Sequence, residues 1–314
     1  MTAGLRDPAG PILLLGAAGQ IGWELARTLA PLGPVVALSR AEIDLASAEA
    51  IRDRVRTTAP GLIVNAAAYT AVDRAEREPD LATAVNGTAP GVLAEEAKRL
   101  RVPLVHYSTD YVFDGRPPAG ADGAARPYVE SDPAAPINVY GLSKLAGEQA
   151  IRAVAPIHLI LRTSWIYAAR GRNFLDTMRR LAAERDEVRV VADQTGGPTW
   201  ARMVAEATAQ MLAATWGAAG PDGLADRGGT YHLSASGATS WHGFAAAIFA
   251  AMAASGARVP RLTAITTADY PTPAARPAYS VLDGSALACA FGLALPPWPD
   301  QLALCLADHP SVGS

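Results

Sequence analysis

Lysine and cysteine are scarce in this chain: among 314 residues, only Lys98, Lys144, Cys289 and Cys305 are of these types. Two cysteines so far apart have neither metal-type spacing nor the density of a disulfide scaffold, which predicts a reducing compartment. The five histidines are scattered and show no ligand spacing, so no metal site is expected. Long hydrophobic runs are missing as well. Ile12-Leu13-Leu14-Leu15 falls far short of the roughly 20 apolar residues that span a bilayer. The opening MTAGLRDPAG has no apolar secretion-signal core. Charge of one sign is also lacking. Twenty-seven basic and 30 acidic residues leave a net charge of −3, without blocks of like charge, and so without an electrostatic footprint for nucleic acid. No Gly-x-Ser-x-Gly elbow occurs, which removes the carrier for serine-hydrolase chemistry. These absences predict a cytoplasmic protein with no membrane and no nucleic-acid partner; a monomer or homodimer is expected.

What is present is a rhythm of short apolar runs and longer helical stretches. Strands are expected at Ile12–Leu15, Val35–Leu38, Leu62–Asn65, Pro103–Tyr107 and His158–Leu161. Each is continuously apolar, as in parallel strands buried on both faces. Helices are expected between them, at Ile21–Leu32, Ser47–Thr58, Leu81–Leu100 and Asn138–Val154. This alternation predicts an α/β fold built on a doubly wound parallel sheet. Beyond Arg162, proline-containing turns break the rhythm and predict a smaller, mostly C-terminal second domain. The first domain then takes residues 1–162 and about 199–236, with a helix near Ala201–Trp216 and a strand near Thr230–Leu233. The second takes about 163–198 and 237–314. The segment Arg116–Arg126 reads as a surface loop.

The first strand runs into Gly16-Ala17-Ala18-Gly19-Gln20-Ile21-Gly22 and then a helix. Glycines at i, i+3 and i+6 allow a tight turn, let backbone approach a pyrophosphate, and pack the helix against the sheet. The helix N-terminus then faces the phosphates. This context makes the sheet Rossmann-type. Strand two ends in Ser39-Arg40. An acidic residue there usually takes ribose hydroxyls, whereas arginine accommodates a 2′-phosphate. The pair points to NADPH, with NADH as the alternative. Asp44 and Leu45 follow within reach of the adenine.

Tyr140-Gly-Leu-Ser-Lys144 places a tyrosine and a lysine on one helix face. A free phenol, with a pKa of about 10, is a poor acid–base group at neutral pH, and a neighbouring ammonium is expected to lower that value. The same lysine can bond a nicotinamide ribose as a compact point charge. With nine tyrosines and two lysines in 314 residues, this spacing arises by chance about 6% of the time. Here it falls in the helix after strand four, where an oxidoreductase of this architecture needs it. Strand four ends in Ser108-Thr109-Asp110, and a hydroxyl at a strand's C-terminal end can donate to a substrate carbonyl. His106, inside the strand, reads as a satisfied core histidine.

With these motifs in place, the chain resembles the dTDP-4-dehydrorhamnose reductase family, extended short-chain dehydrogenase/reductases acting on sugar nucleotides. The likeness runs from about Ile12 to Leu304. It includes GAAGQIGWEL (Gly16–Leu25), VNAAAYTAVDRAE (Val64–Glu76), HYSTDYVFDG (His106–Gly115), NVYGLSKLAGE (Asn138–Glu148), RTSWIY (Arg162–Tyr167), DQTGGPT (Asp193–Thr199) and YPTPAARP (Tyr270–Pro277). The resemblance implies Tyr140 as proton donor, Lys144 as its partner and ribose ligand, and Thr109 as the hydroxyl that tunes the carbonyl. It implies Gly19, Gln20 and Ile21 on the pyrophosphate, within the turn framed by Gly16 and Gly22. Ser39 and Arg40 would lie at the ribose, Asp44 and Leu45 at the adenosine half, and Ala68, Tyr69 and Thr70 along the cofactor. Thr109, Asp110, Trp165 and Arg276 would contact the sugar. The implied reaction is hydride transfer to the C4 keto group of dTDP-4-dehydro-L-rhamnose, giving dTDP-L-rhamnose. The sequence carries no signal for Mg²⁺. Ser39 and Tyr279 depart from the family pattern. The alternatives are a reductase for another dTDP-4-keto-6-deoxysugar and a non-catalytic NADP-binding regulatory subunit. An epimerase is disfavoured, because Ser-x-x-x-Val-Tyr-Gly does not follow strand four.

Overall fold

The computed structural model describes residues 10–120, 123–154, 156–217 and 222–308. All five apolar runs become strands: β1 (Ile12–Leu15), β2 (Val35–Leu38), β3 (Leu62–Asn65), β4 (Leu104–Thr109) and β5 (His158–Thr163). A sixth, β6 (Gly229–His232), joins from far along the chain and pairs with β5. Every pairing is parallel, in the spatial order β2-β1-β3-β4-β5-β6. The order reverses between β1 and β3, so the crevice at a topological switch point lies directly beyond the glycine turn.

Successive residues of a strand point to opposite faces, and the core divides accordingly. Ile12, Leu14, Leu62, Val64 and Leu159 enter one cluster, while Leu13, Leu15, Ile63 and Ile160 enter another. Helices α1 (Gln20–Thr28) and α5 (Ala201–Leu212) cover the first face through Leu25, Leu29, Val204 and Met211. Helices α2 (Ala48–Thr58), α3 (Ala89–Leu100) and α4 (Val139–Val154) cover the second through Ile51, Val55, Leu93 and Ile151. Burying each such side chain is worth roughly 1.5–3 kcal/mol; β1 and β3 are buried throughout, whereas Val35, Val36 and Ala37 of the edge strand β2 are half-buried.

Two expected helices come out differently. The stretch expected over Ile21–Leu32 is α-helical only to Thr28, followed by a 3₁₀ turn at Ala30–Leu32. Pro31 has no N–H to continue the ladder. The stretch expected over Leu81–Leu100 is α-helical at Pro79–Thr83, widens to a π-turn at Ala84–Thr88, and resumes as α3. Pro90 cannot bond to the carbonyl four residues back and clashes with it, which an inserted residue relieves.

A further core between Tyr167 and Cys305 is built on Leu175, Phe244, Ile248 and Leu302. Beside it the segments Glu187–Val191 and Arg261–Ile265 form a parallel pair. Among the described residues, no helix is long and apolar enough to cross a membrane.

Candidate active site

A cleft of about 760 Å³ opens at the C-terminal ends of β1 to β5. Gly16, Gly19, Gln20 and Ile21 line one part of it, with Ser39, Arg40, Asp44 and Leu45. Ala68, Tyr69 and Thr70 follow, and Thr109, Asp110, Tyr140, Lys144 and Trp165 complete the wall. Two expected site residues are absent from that wall. Gly22 is buried under the turn, where an added Cβ would lie 2.0 Å from the Gly16 carbonyl oxygen, so its role is helix packing. Arg276 is held by Asp73 at 2.9 Å and by the Ala274 carbonyl at 3.2 Å.

The turn has the form of an anion cradle. Gly16 has φ +84°, and a Cβ there would strike the Ala67 backbone at 2.6 Å. Gly19 is the N-cap of α1 and supplies no side-chain cap, so the first-turn N–H groups are left for a ligand. A Cβ on Gly19 would contact only the Gly16 oxygen, at 3.2 Å, and otherwise project toward open space. Gln20 Oε1 is buried without a hydrogen-bond partner. A dinucleotide pyrophosphate fits this arrangement of donors and bare backbone.

Behind the cleft, Lys144 is 1% exposed. Its amine donates to the Tyr107 carbonyl at 2.6 Å and lies 3.2 Å from His106 Nε2. Burial brings the Lys144 pKa down to about 8, with Glu148 opposing the shift. His106 Nδ1 meets Asn65 Nδ2 at 3.1 Å, and the Ala67 N–H fixes that amide through Asn65 Oδ1. Burial first, then Lys144, hold the His106 pKa far below the usual histidine range. The ring is a buried, neutral neighbour of the lysine.

Tyr140 differs from expectation. Its hydroxyl is pushed up to about 12 by burial, a bond with Thr109 opposing and Asp110 reinforcing the rise. The Lys144 amine is turned toward β4, where it donates to the Tyr107 carbonyl. A phenol with a raised pKa keeps its proton at neutral pH, which is the form needed to donate one. Thr109 Oγ1 donates to Asp110 Oδ1 at 2.9 Å, and Ser164 donates to Asp110 Oδ2 at 2.9 Å. Burial raises the Asp110 carboxyl to about 6 against the bonds from Ser280, Thr109 and Ser164.

That raised value carries a sign. Between about pH 4 and 6 the folded chain binds more protons at Asp110 than the unfolded chain, so the site's stability contribution falls as pH rises through this window. Asp110→Asn should therefore raise stability at pH 8 by on the order of 2 kcal/mol, with the gain vanishing toward pH 4. Thermal melts across pH test this. A constant difference at every pH would mean that packing, not ionisation, is responsible.

Trp165 sits at φ +44°, in the left-handed region that bulky residues avoid. Its ring stacks on Trp241, with centroids 3.6 Å apart and an interplanar angle of 3°, and Gly196 lies close against it. A Cβ on Gly196 would lie 2.4 Å from the indole. Gly196→Ala should displace the ring and weaken binding of a substrate seated against it by about tenfold, roughly 1.4 kcal/mol. Binding at the glycine turn should stay within about twofold. Equal loss of both affinities would make Trp165 a packing residue only.

Sequence reading missed several residues here. Asn86, in the π-turn, accepts from the Tyr69 N–H at 2.8 Å and donates to the Tyr69 carbonyl at 3.0 Å and to Ser143 at 3.0 Å. It thus ties the Tyr69 part of the cleft wall to α4, and the nearby Pro90 was the available signal. Tyr111 packs edge-on against Tyr140, with centroids 5.7 Å apart. Trp241 and Arg172 also line the cleft, brought there from segments with no local motif.

Comparisons with known proteins agree over nearly the whole chain. A family model described as the RmlD substrate binding domain matches residues 10–310. A dTDP-4-dehydrorhamnose reductase of Burkholderia thailandensis is 50% identical over 303 residues, covering 95% of this chain and 98% of that protein. The Escherichia coli K12 protein of the same name is 43% identical over 293 residues, covering 91% and 94%. Among solved structures, a Bacillus anthracis dTDP-4-dehydrorhamnose reductase in complex with NADP superposes with a TM-score of 0.83 at 33% identity, covering 96% of this chain and 99% of that one.

Proposed function

The chain belongs to the dTDP-4-dehydrorhamnose reductase family, and from that premise we propose how its own residues carry the reaction. The activity is that of an NADPH-dependent oxidoreductase, reducing the C4 keto group of dTDP-4-dehydro-L-rhamnose to dTDP-L-rhamnose. The observation that carries the assignment of roles is one cleft holding both the glycine turn and the Tyr140–Thr109–Asp110 cluster.

The turn at Gly16–Ile21 holds the pyrophosphate, Ser39 and Arg40 face the adenosine ribose, and Ala68 to Thr70 flank the path between the two ends. Lys144 holds the nicotinamide ribose. A bound reduced nicotinamide supplies the hydride to sugar C4. The carbonyl π electrons move onto oxygen, and Tyr140 gives that oxygen its proton. Thr109 lies beside the same oxygen and steadies the developing charge. Its single proton is committed to Asp110 in the resting arrangement, so Asp110 sets which way this chain of hydroxyls is polarised. Trp165 forms a wall for the sugar. The domain division follows the same reading: α5 and β6 rejoin the main sheet for the cofactor, and the core around Phe244 carries the side that receives the sugar nucleotide.

The test is NADPH oxidation with purified protein and dTDP-4-dehydro-L-rhamnose, beside a panel of other dTDP-4-keto-6-deoxysugars. Turnover highest with the rhamnose precursor is expected. Preference for another 4-keto sugar would reassign the substrate, and cofactor binding without any turnover would favour a regulatory subunit.

A further inference from the structure

Beside the adenosine end of the cleft, next to the lining residues Ser39, Arg40 and Ile43, stands an acidic group that the reading above leaves unused. At the turn after β2, Glu42 Oε2 accepts from the Ser39 N–H at 2.7 Å and from the Ser39 hydroxyl at 2.8 Å. The Glu42 N–H donates in return to the Ser39 carbonyl at 3.0 Å. Next to this closed turn stands Arg40, exposed, lining the cleft, and without an ion pair or hydrogen bond among the described residues. The two ribose variants need opposite things at this strand end: a carboxylate suits a 2′-hydroxyl, and arginine suits a 2′-phosphate. A phosphate also seeks N–H and O–H donors, since charge-assisted bonds are the strong ones. Here one short turn presents both devices, and they share Ser39.

Resting on the cofactor placement given above, we propose that Glu42 is a specificity-determining residue: its carboxylate occupies the Ser39 donors that a 2′-phosphate needs. NADPH must displace Glu42 and meets its negative charge, while Arg40 attracts the phosphate. NADH leaves the turn closed and can donate its 2′-hydroxyl to the same carboxylate. The Ser39 N–H first, and its hydroxyl second, hold the Glu42 carboxyl below the usual range, so the competing charge is present throughout the neutral range. The chain therefore discriminates less between the two cofactors than Ser39-Arg40 alone would dictate.

The experiment is calorimetric titration of the purified chain with NADP⁺ and NAD⁺, and with 2′,5′-ADP and 5′-AMP as probes of the adenosine end alone. Glu42→Gln removes the charge and keeps the length. It should shift the NADP⁺ to NAD⁺ affinity ratio about tenfold toward NADP⁺, with the same shift between 2′,5′-ADP and 5′-AMP. Glu42→Ala should shift it in the same direction, and Arg40→Ala in the opposite direction. NAD⁺ binding by each variant shows that the turn still folds. Ratios within twofold of wild type in both Glu42 variants would overturn the inference and leave the cofactor placement standing. If Gly19→Val left both cofactor affinities unchanged, the placement itself would fall, and this inference with it.

Discussion

Tyr140→Phe should lower kcat for sugar reduction by about 10²–10⁴-fold, the range typical of removing a positioned general acid. Hydride arriving at C4 turns a neutral carbonyl into an alkoxide, which cannot persist without a proton at hand. Tyr140 holds its proton up to about pH 12, so it is fully loaded at neutral pH, and only the basicity of the nascent alkoxide draws the proton off. The substitution removes one oxygen and nothing that touches the glycine turn, so cofactor affinity should change little. Thr109→Val should cost less, as the loss of one hydrogen bond to developing charge. Lys144→Met should damage both turnover and cofactor binding. The same geometry orders the pH profile. Lys144 titrates near pH 8 and loses its charge above that value, so the falling limb of activity belongs to the lysine rather than to the tyrosine. Steady-state turnover of each variant beside cofactor titration is the measurement. A kcat near wild type in Tyr140→Phe would remove the tyrosine from the chemistry.

The second large effect concerns stability. Glu148→Ala should destabilise the fold by about 3–5 kcal/mol, the cost of leaving a buried charge without its partner. Glu148 is 0% exposed and lies one helical turn beyond Lys144. Arg162 of β5 grips it at 2.9 and 2.7 Å, and Ser108 of β4 donates to it at 2.6 Å. The cluster therefore bolts α4 to the two strands whose ends carry the catalytic groups. Burial alone would raise the Glu148 pKa; the bonds from Arg162 and Ser108 outweigh it and leave it lowered. With the folded value below the unfolded one, the stabilisation is present above the ordinary carboxylate range and is lost as pH falls through the folded value. Glu148→Met with Arg162→Met should recover most of the loss, because the Arg162 guanidinium is then no longer stranded without its partner. Thermal or urea melts decide. A double variant no more stable than Glu148→Ala would show that the pair contributes more than mutual neutralisation.

Much of this site was legible in particular residues. The glycine spacing after β1 predicts a tight turn, and the turn is there, with Gly16 in a conformation that needs glycine. Tyr140 and Lys144 fall on one helix face as their spacing requires. Burial is the largest influence on the Tyr140 hydroxyl, and the lysine's amine donates to the Tyr107 carbonyl. Arg276 carries a motif that points to substrate, yet its guanidinium is held by Asp73, 203 residues earlier in the chain. No local pattern contains that partner.

What the sequence determined by itself is whatever depends on near neighbours. Apolar runs of four to six residues must be buried on both faces, so they become parallel strands. Three spaced glycines permit one tight turn, and two residues four apart share a helix face. Tertiary structure alone decided what depends on desolvation and on partners from distant segments. The Tyr140 pKa, the turning of Lys144 toward β4, the seat of Trp165 against Trp241 and Gly196, and the bridging role of Asn86 are all of this kind. Each is set by which groups are packed around a side chain when water is removed, and packing brings together residues that the linear order keeps apart.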